Sequence, residues 1–139
     1  NFDVDYYHAG LGITHAGWRL GWAHELLGAD SSAGVAMQTP LATLHTFQGW
    51  ADKFLTTPSA GMRDNQFSVS GNVAGFAMQL HHHDYQSDVS GLDYGKEWNI
   101  QLGRALGTRY TLTAKYARYT AEQFAQDTSK FWLMAEARF

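Results

Sequence analysis

Apolar and polar side chains alternate with a period of two along most of this chain, in stretches of about ten residues. Over 5–13, Tyr7, Ala9, Leu11 and Ile13 share one side. Over 17–27, Trp18, Leu20, Trp22 and Leu26 oppose Arg19, Gly21, Ala23 and Glu25. Over 65–73, Phe67, Val69 and Val73 oppose Ser68, Ser70 and Asn72, and over 76–85, Phe76, Met78 and Leu80 oppose Gln79, His81 and His83. The stretch 94–102 sets Tyr94, Trp98, Ile100 and Leu102 against Glu97, Asn99 and Gln101. The stretch 109–119 sets Tyr110, Leu112, Ala114 and Tyr116 against Arg109, Thr111, Thr113 and Lys115. At the end, Phe131, Leu133, Ala135, Ala137 and Phe139 oppose Trp132, Met134, Glu136 and Arg138. Side chains of a strand point alternately to its two faces, so each stretch predicts a strand.

The connections between these strands alternate in length. Those at 14–16, 74–75 and 106–108 are very short, whereas 28–61, 86–93 and 120–129 are longer. Short turns at one end and long loops at the other are expected of an antiparallel transmembrane β-barrel. The predicted fold class is therefore all-β, one barrel domain over 1–139. The terminal Phe139 reads as an insertion signal for the barrel-assembly machinery, which places the short turns in the periplasm and the long loops outside. Seven strands is an odd number, and single-chain bacterial barrels are even. Either the chain is the C-terminal part of a larger barrel, with N-terminal strands of the same barrel as its partner, or residues 35–47 add an eighth strand. The second solution is a small self-contained barrel with a structural or surface-interaction role.

Alternation stops in the longest connection. Leu41, Leu44, Phe47, Trp50 and Phe54 recur every three or four residues, the spacing of a helical face. Thr39 is placed to cap that helix, with Pro40 at its first position. A long connection in a compact barrel is more often functional than idle. Leu44, Phe47, Trp50 and Phe54 are thus expected to form a plug or gate. The plainer expectation is an extracellular loop that packs these aromatics on the rim.

Composition supports a membrane setting. Aromatic residues make up 14% of the chain, with 7 Tyr and 5 Trp, and such side chains suit a lipid–water interface. Gly numbers 14 against 2 Pro, which fits twisted strands and tight turns. There is no Cys, and no run approaches the ~18 apolar residues that a spanning helix needs. Asn1-Phe2-Asp3 does not read as the start of a signal peptide, so a mature protein or a piece of one is expected. A net charge of −3 gives no footprint for nucleic acid. Outer-membrane lipid is the expected surrounding.

Several side chains carry chemistry. Arg19, Arg109, Lys115 and Arg138 fall on the polar faces, as do Glu25, Glu97 and Glu136. These seven are the expected lumen residues. They either act on passing anions through their field or neutralise one another inside the wall. His81 and His83 share a face and form a weak candidate metal pair, against the plainer role of polar lumen residues. Asp84, Asp88 and Asp93 surround Gly91, where solvated loop acids are more common than a Ca²⁺ site. No Gly-x-Ser-x-Gly elbow occurs. Neither an enzyme nor a cofactor is expected.

The run over 34–45, with Gln38, Thr39, Pro40 and Leu41, is followed by Gly49, Trp50, Ala51, Asp52, Lys53 and Phe54. Together they resemble a motif of the alginate-export family of outer-membrane porins. The segment 127–133 resembles it too, as does Tyr116-Ala117-Arg118-Tyr119 with Phe124. The likeness covers nearly the whole chain but matches only the C-terminal part of a family member. It implies a larger barrel in a Gram-negative outer membrane, a porin that passively passes hydrophilic, anionic, polysaccharide-like solutes. Alginate exporters are expected to have a strongly electropositive lumen; the inward positions here mix both signs.

Overall fold

The computed structural model describes residues 2–40 and 44–139. Among these residues nine strands and one short helix follow in chain order: β1 (Tyr6–His15), β2 (Trp18–Leu27), β3 (Ala29–Asp30), β4 (Val35–Ala36), α1 (Leu44–Phe47), β5 (Met62–Val73), β6 (Phe76–Gln86), β7 (Asp93–Leu106), β8 (Tyr110–Ala121) and β9 (Thr128–Ala137). Seven of them form one antiparallel sheet in the order β1-β2-β5-β6-β7-β8-β9. Among the described residues β3 and β4 pair only with each other.

Each long strand coincides with a stretch of alternating sequence, because a one-residue slip would exchange its two faces. The register carries that alternation across the sheet. Glu25 pairs with Asp64, His83 with Glu97, and Lys115 with Trp132. The opposite parity pairs Leu20 with Val69, Leu80 with Ile100, and Ala114 with Leu133. One face is thus polar and the other apolar from edge to edge. Ala16-Gly17 and Ala74-Gly75 close two hairpins with positive φ at both residues, the twist that suits two-residue turns. The connections 28–61, 87–92 and 122–127 gather at the other end, where the amide of Asp88 donates to the Ala60 carbonyl and that of Gln123 to the Asp93 carbonyl.

Four expectations are corrected. Val35–Ala36 is a two-residue strand paired with β3, and the described residues of 35–47 supply no eighth strand to the sheet. Among the described residues the helix covers Leu44–Phe47 and ends there. Gly49 at φ +83° and Asp52 at φ +56° turn the backbone left-handed and prevent the helix from continuing. Leu41 lies outside the described residues, as does the side chain of Leu44. Arg109 sits in the tight turn before β8, not on a lumen-facing strand. Tyr94 points inward, because the register shifts at Tyr85/Gln86 and Gly95 adopts φ +111°.

The core lies on the polar face, beneath the long-loop end. Trp50, Ala51 and Phe54 bury against Leu27, Met62, Tyr85, Tyr94 and Tyr119. The Phe54 ring sits 4.4 Å from Tyr85 and stacks on Phe124 at 5.3 Å. Six neighbouring strands of the sheet, β2, β5, β6, β7, β8 and β9, reach this one segment, so the sheet curls about it. β1 and β9 remain the two edges, unpaired with each other among the described residues. After an odd number of antiparallel strands they run in the same direction.

Candidate functional site

The inward face of β2, β5, β6 and β7 presents Glu25, Asp64, His83 and Glu97, all buried. The segment 45–54 supplies partners for two of them, Glu25 and Glu97. Gln48 Nε2 donates to Glu25 Oε2 (2.8 Å), and Tyr6 Oη donates to Glu25 Oε1 (3.1 Å). The Ala51 amide donates to Glu97 Oε1 (2.8 Å). His83 Nδ1 bonds Asp64 Oδ2 at 2.8 Å. Among the described residues no lysine or arginine lies within salt-bridge distance of these carboxylates. A desolvated carboxylate without a cation is costly unless it is hydrogen-bonded, so the amide of Ala51 and the amide side chain of Gln48 anchor the segment. Gly49 fits because it has no Cβ: one would press on Tyr85 Oη and stand 2.7 Å from Glu97 Oε1.

A second anchor uses charge. Lys130 Nζ on β9 donates to Asp52 Oδ2 (2.6 Å), and Asp52 Oδ1 bonds His45 Nδ1 (2.8 Å). Lys115 Nζ on β8 donates to His45 Nε2 (2.9 Å). The same ammonium lies 4.1 Å from the Trp50 ring centroid and 5.4 Å from that of Trp132, within cation–π range. Burial would raise the Asp52 pKa, but the hydrogen bonds from Lys130 and His45 outweigh it and hold the carboxyl below its ordinary value.

The predicted site residues separate into three groups. Glu25, Glu97, Lys115, Trp50 and Phe54 meet at the segment just described. Arg19 and Phe47 line an open groove of about 600 Å³ beside it, together with His8, Gln66 and Ser68; Phe47 is 54% exposed. Arg109, Glu136, Arg138 and Phe139 lie at the short-turn end. There Arg138 Nε donates to Glu136 Oε1 (2.6 Å) and the Arg138 amide to the Arg109 carbonyl (2.9 Å).

His81 and His83 do face one way, with rings stacked 6.5 Å apart. Gln66 holds His81, Asp64 holds His83, and no metal-capable group of three forms among the described residues. Asp84, Asp88 and Asp93 do not converge. They serve Lys96 (3.7 Å), Arg63 (2.8 Å) and the Gly95 amide (2.9 Å) respectively. The sequence reading missed His45, Gln48, Asp52, Lys130 and Trp132 as partners. Lys130 and Trp132 carried a signal, since both share the parity of Lys115 across β8 and β9; the other three sit where the period of two stops.

Compared with models of protein families, with curated proteins and with solved structures, the chain gives no match, so the site stands on its own geometry.

Proposed function

We propose that this chain forms wall strands of a bacterial outer-membrane porin for hydrophilic, anionic solutes, and that residues 45–54 restrict its lumen. One observation carries this reading. The sheet has an exposed apolar face over its full width, with Leu11, Ile13, Leu20, Phe67, Leu102 and Leu133 open to the surroundings, while its core lies on the polar face. A water-soluble sheet buries its apolar face, and exposed patches of this extent mark contact with a membrane or a partner. On β7 the outward residues Trp98, Ile100 and Leu102 lie between Lys96 and Arg104. Eight residues span about 27 Å along a strand, and a tilt of roughly 40° brings this near the apolar band of an outer-membrane barrel.

The two edge strands run parallel, so antiparallel closure requires an odd number of further strands; strands of the same barrel are the fitting partner. The test is reconstitution of the closed barrel, this chain together with the further strands that complete it. It is expected to fold only with detergent or lipid and to give discrete currents in planar bilayers, with anion preference reduced in Lys115→Gln. A monodisperse fold in detergent-free buffer, or bilayers that stay silent at every protein concentration, overturns the proposal.

A further inference from the structure

We propose that Lys115, Lys130 and His45 form a binding niche for a small organic carboxylate, filled in this structure by the chain's own Asp52. Four observations support it. The group that fills the niche is itself a carboxylate, and both of its oxygens are engaged, one by Lys130 at 2.6 Å and the other by His45 at 2.8 Å. The niche holds two ammonium groups and a single carboxylate. Lys115 reaches Asp52 only through His45 and has no carboxylate within salt-bridge distance among the described residues. Trp50 and Trp132 stand against the Lys115 ammonium and offer apolar faces to the carbon skeleton of a ligand. Finally, Lys115 and Lys130 are fixed on adjacent strands of the wall, whereas Asp52 and His45 belong to the segment between β4 and β5. An external carboxylate that takes the place of Asp52 therefore frees the segment from the β8–β9 wall while leaving both lysines in position. Charge-assisted hydrogen bonds of this kind are the strong ones, and exchanging one carboxylate for another costs little electrostatically.

This inference deepens the porin reading by assigning an effector to its lumen segment, but binding is measured without any current, so the two fail separately. The probe is acetate, with isosteric, uncharged acetamide as control. The readout is the indole N–H signals of Trp50 and Trp132 in the ¹⁵N-labelled full chain in detergent micelles. Asp52→Asn keeps the side-chain shape and removes the competing charge. It is expected to bind acetate at least about tenfold more tightly than the wild type, with no response to acetamide, and to lose that gain when Lys115→Met or Lys130→Met is added. The dispersion of the remaining indole signals reports that each variant is folded. Equal acetate affinity in wild type and Asp52→Asn overturns the proposal. So does a response to acetamide as strong as that to acetate, or binding that survives both lysine substitutions.

Discussion

Lys130 Nζ donates to Asp52 Oδ2 across 2.6 Å and so joins positions 78 residues apart in the chain. It is the only direct ion pair with a lysine or arginine between the 45–54 segment and the sheet among the described residues. Its partner carboxyl has a pKa below the ordinary value. A group stabilised in its charged form contributes fully above its unfolded pKa, near 3.9 for Asp. That contribution is lost as pH falls through the lower, folded value. Acidification below about pH 4 is therefore expected to loosen the segment. The Trp50 and Trp132 indole signals check it: they should shift with acid in the wild type and lose most of that shift in Asp52→Asn. A pH response identical in both proteins would assign the transition to another group.

Glu97 gives a prediction of opposite sign for two substitutions. It is fully buried, its Oε1 accepts from the Ala51 amide, and its Oε2 has no partner among the described residues. Glu97→Gln keeps an acceptor for that amide and removes a charge from a dry site, so it is expected to be neutral or stabilising. Glu97→Leu leaves the Ala51 amide without an acceptor and is expected to cost about 1–3 kcal/mol. Urea midpoints in detergent micelles separate the two. A destabilised Gln variant would mean that the carboxylate charge is needed there.

Gly49 tests how closely the segment lies on the sheet. Its φ of +83° disfavours any Cβ, and the space that a Cβ would take is held by Tyr85 Oη and Glu97. Gly49→Ala is thus expected to cost more than the ~1 kcal/mol of an unfavourable φ alone. It should also raise protease cleavage between 45 and 54 while leaving the sheet intact. Protection unchanged from the wild type would mean that the segment shifts at no cost.

These sites show what the sequence could and could not convey. Period two in 17–27 or 109–119 is a local signal, and the strands follow it within a residue or two. The parity of Lys115 and Glu97 also follows, because a face is fixed once its register is. Tyr94 escaped, since the bulge that turns it inward depends on Gly95 lying against the Thr120 carbonyl, a contact made across strands. The segment 45–54 escaped more fully. Its apolar spacing of three and four suggested a helix, but its conformation is set by partners on β2, β7, β8 and β9, each supplied by a distant part of the chain. Glu25 and Glu97 were legible as inward acids. That they would be met by Gln48 and a backbone amide, instead of by Arg19 or Arg109, follows only from where the segment lands.

The assignment of the two faces predicts different outcomes for neighbouring residues of one strand. Leu133 and Met134 are adjacent on β9; Leu133 has the apolar parity and is 73% exposed, whereas Met134 has the parity of Lys115 and pairs with Thr113. If the apolar face meets lipid, Leu133→Arg carries a charge toward the bilayer and is expected to cost about 2–4 kcal/mol in folding into vesicles. Met134→Arg faces an aqueous lumen beside Thr113 and is expected to cost less than about 1 kcal/mol, because a solvated surface charge perturbs stability little. In a protein whose exposed face meets water the order changes: an arginine at the already solvated Leu133 would be neutral or would improve solubility. Urea-dependent folding into phosphatidylcholine vesicles, followed by tryptophan emission, decides between them. Leu133→Arg folding as readily as Met134→Arg would exclude lipid from that face.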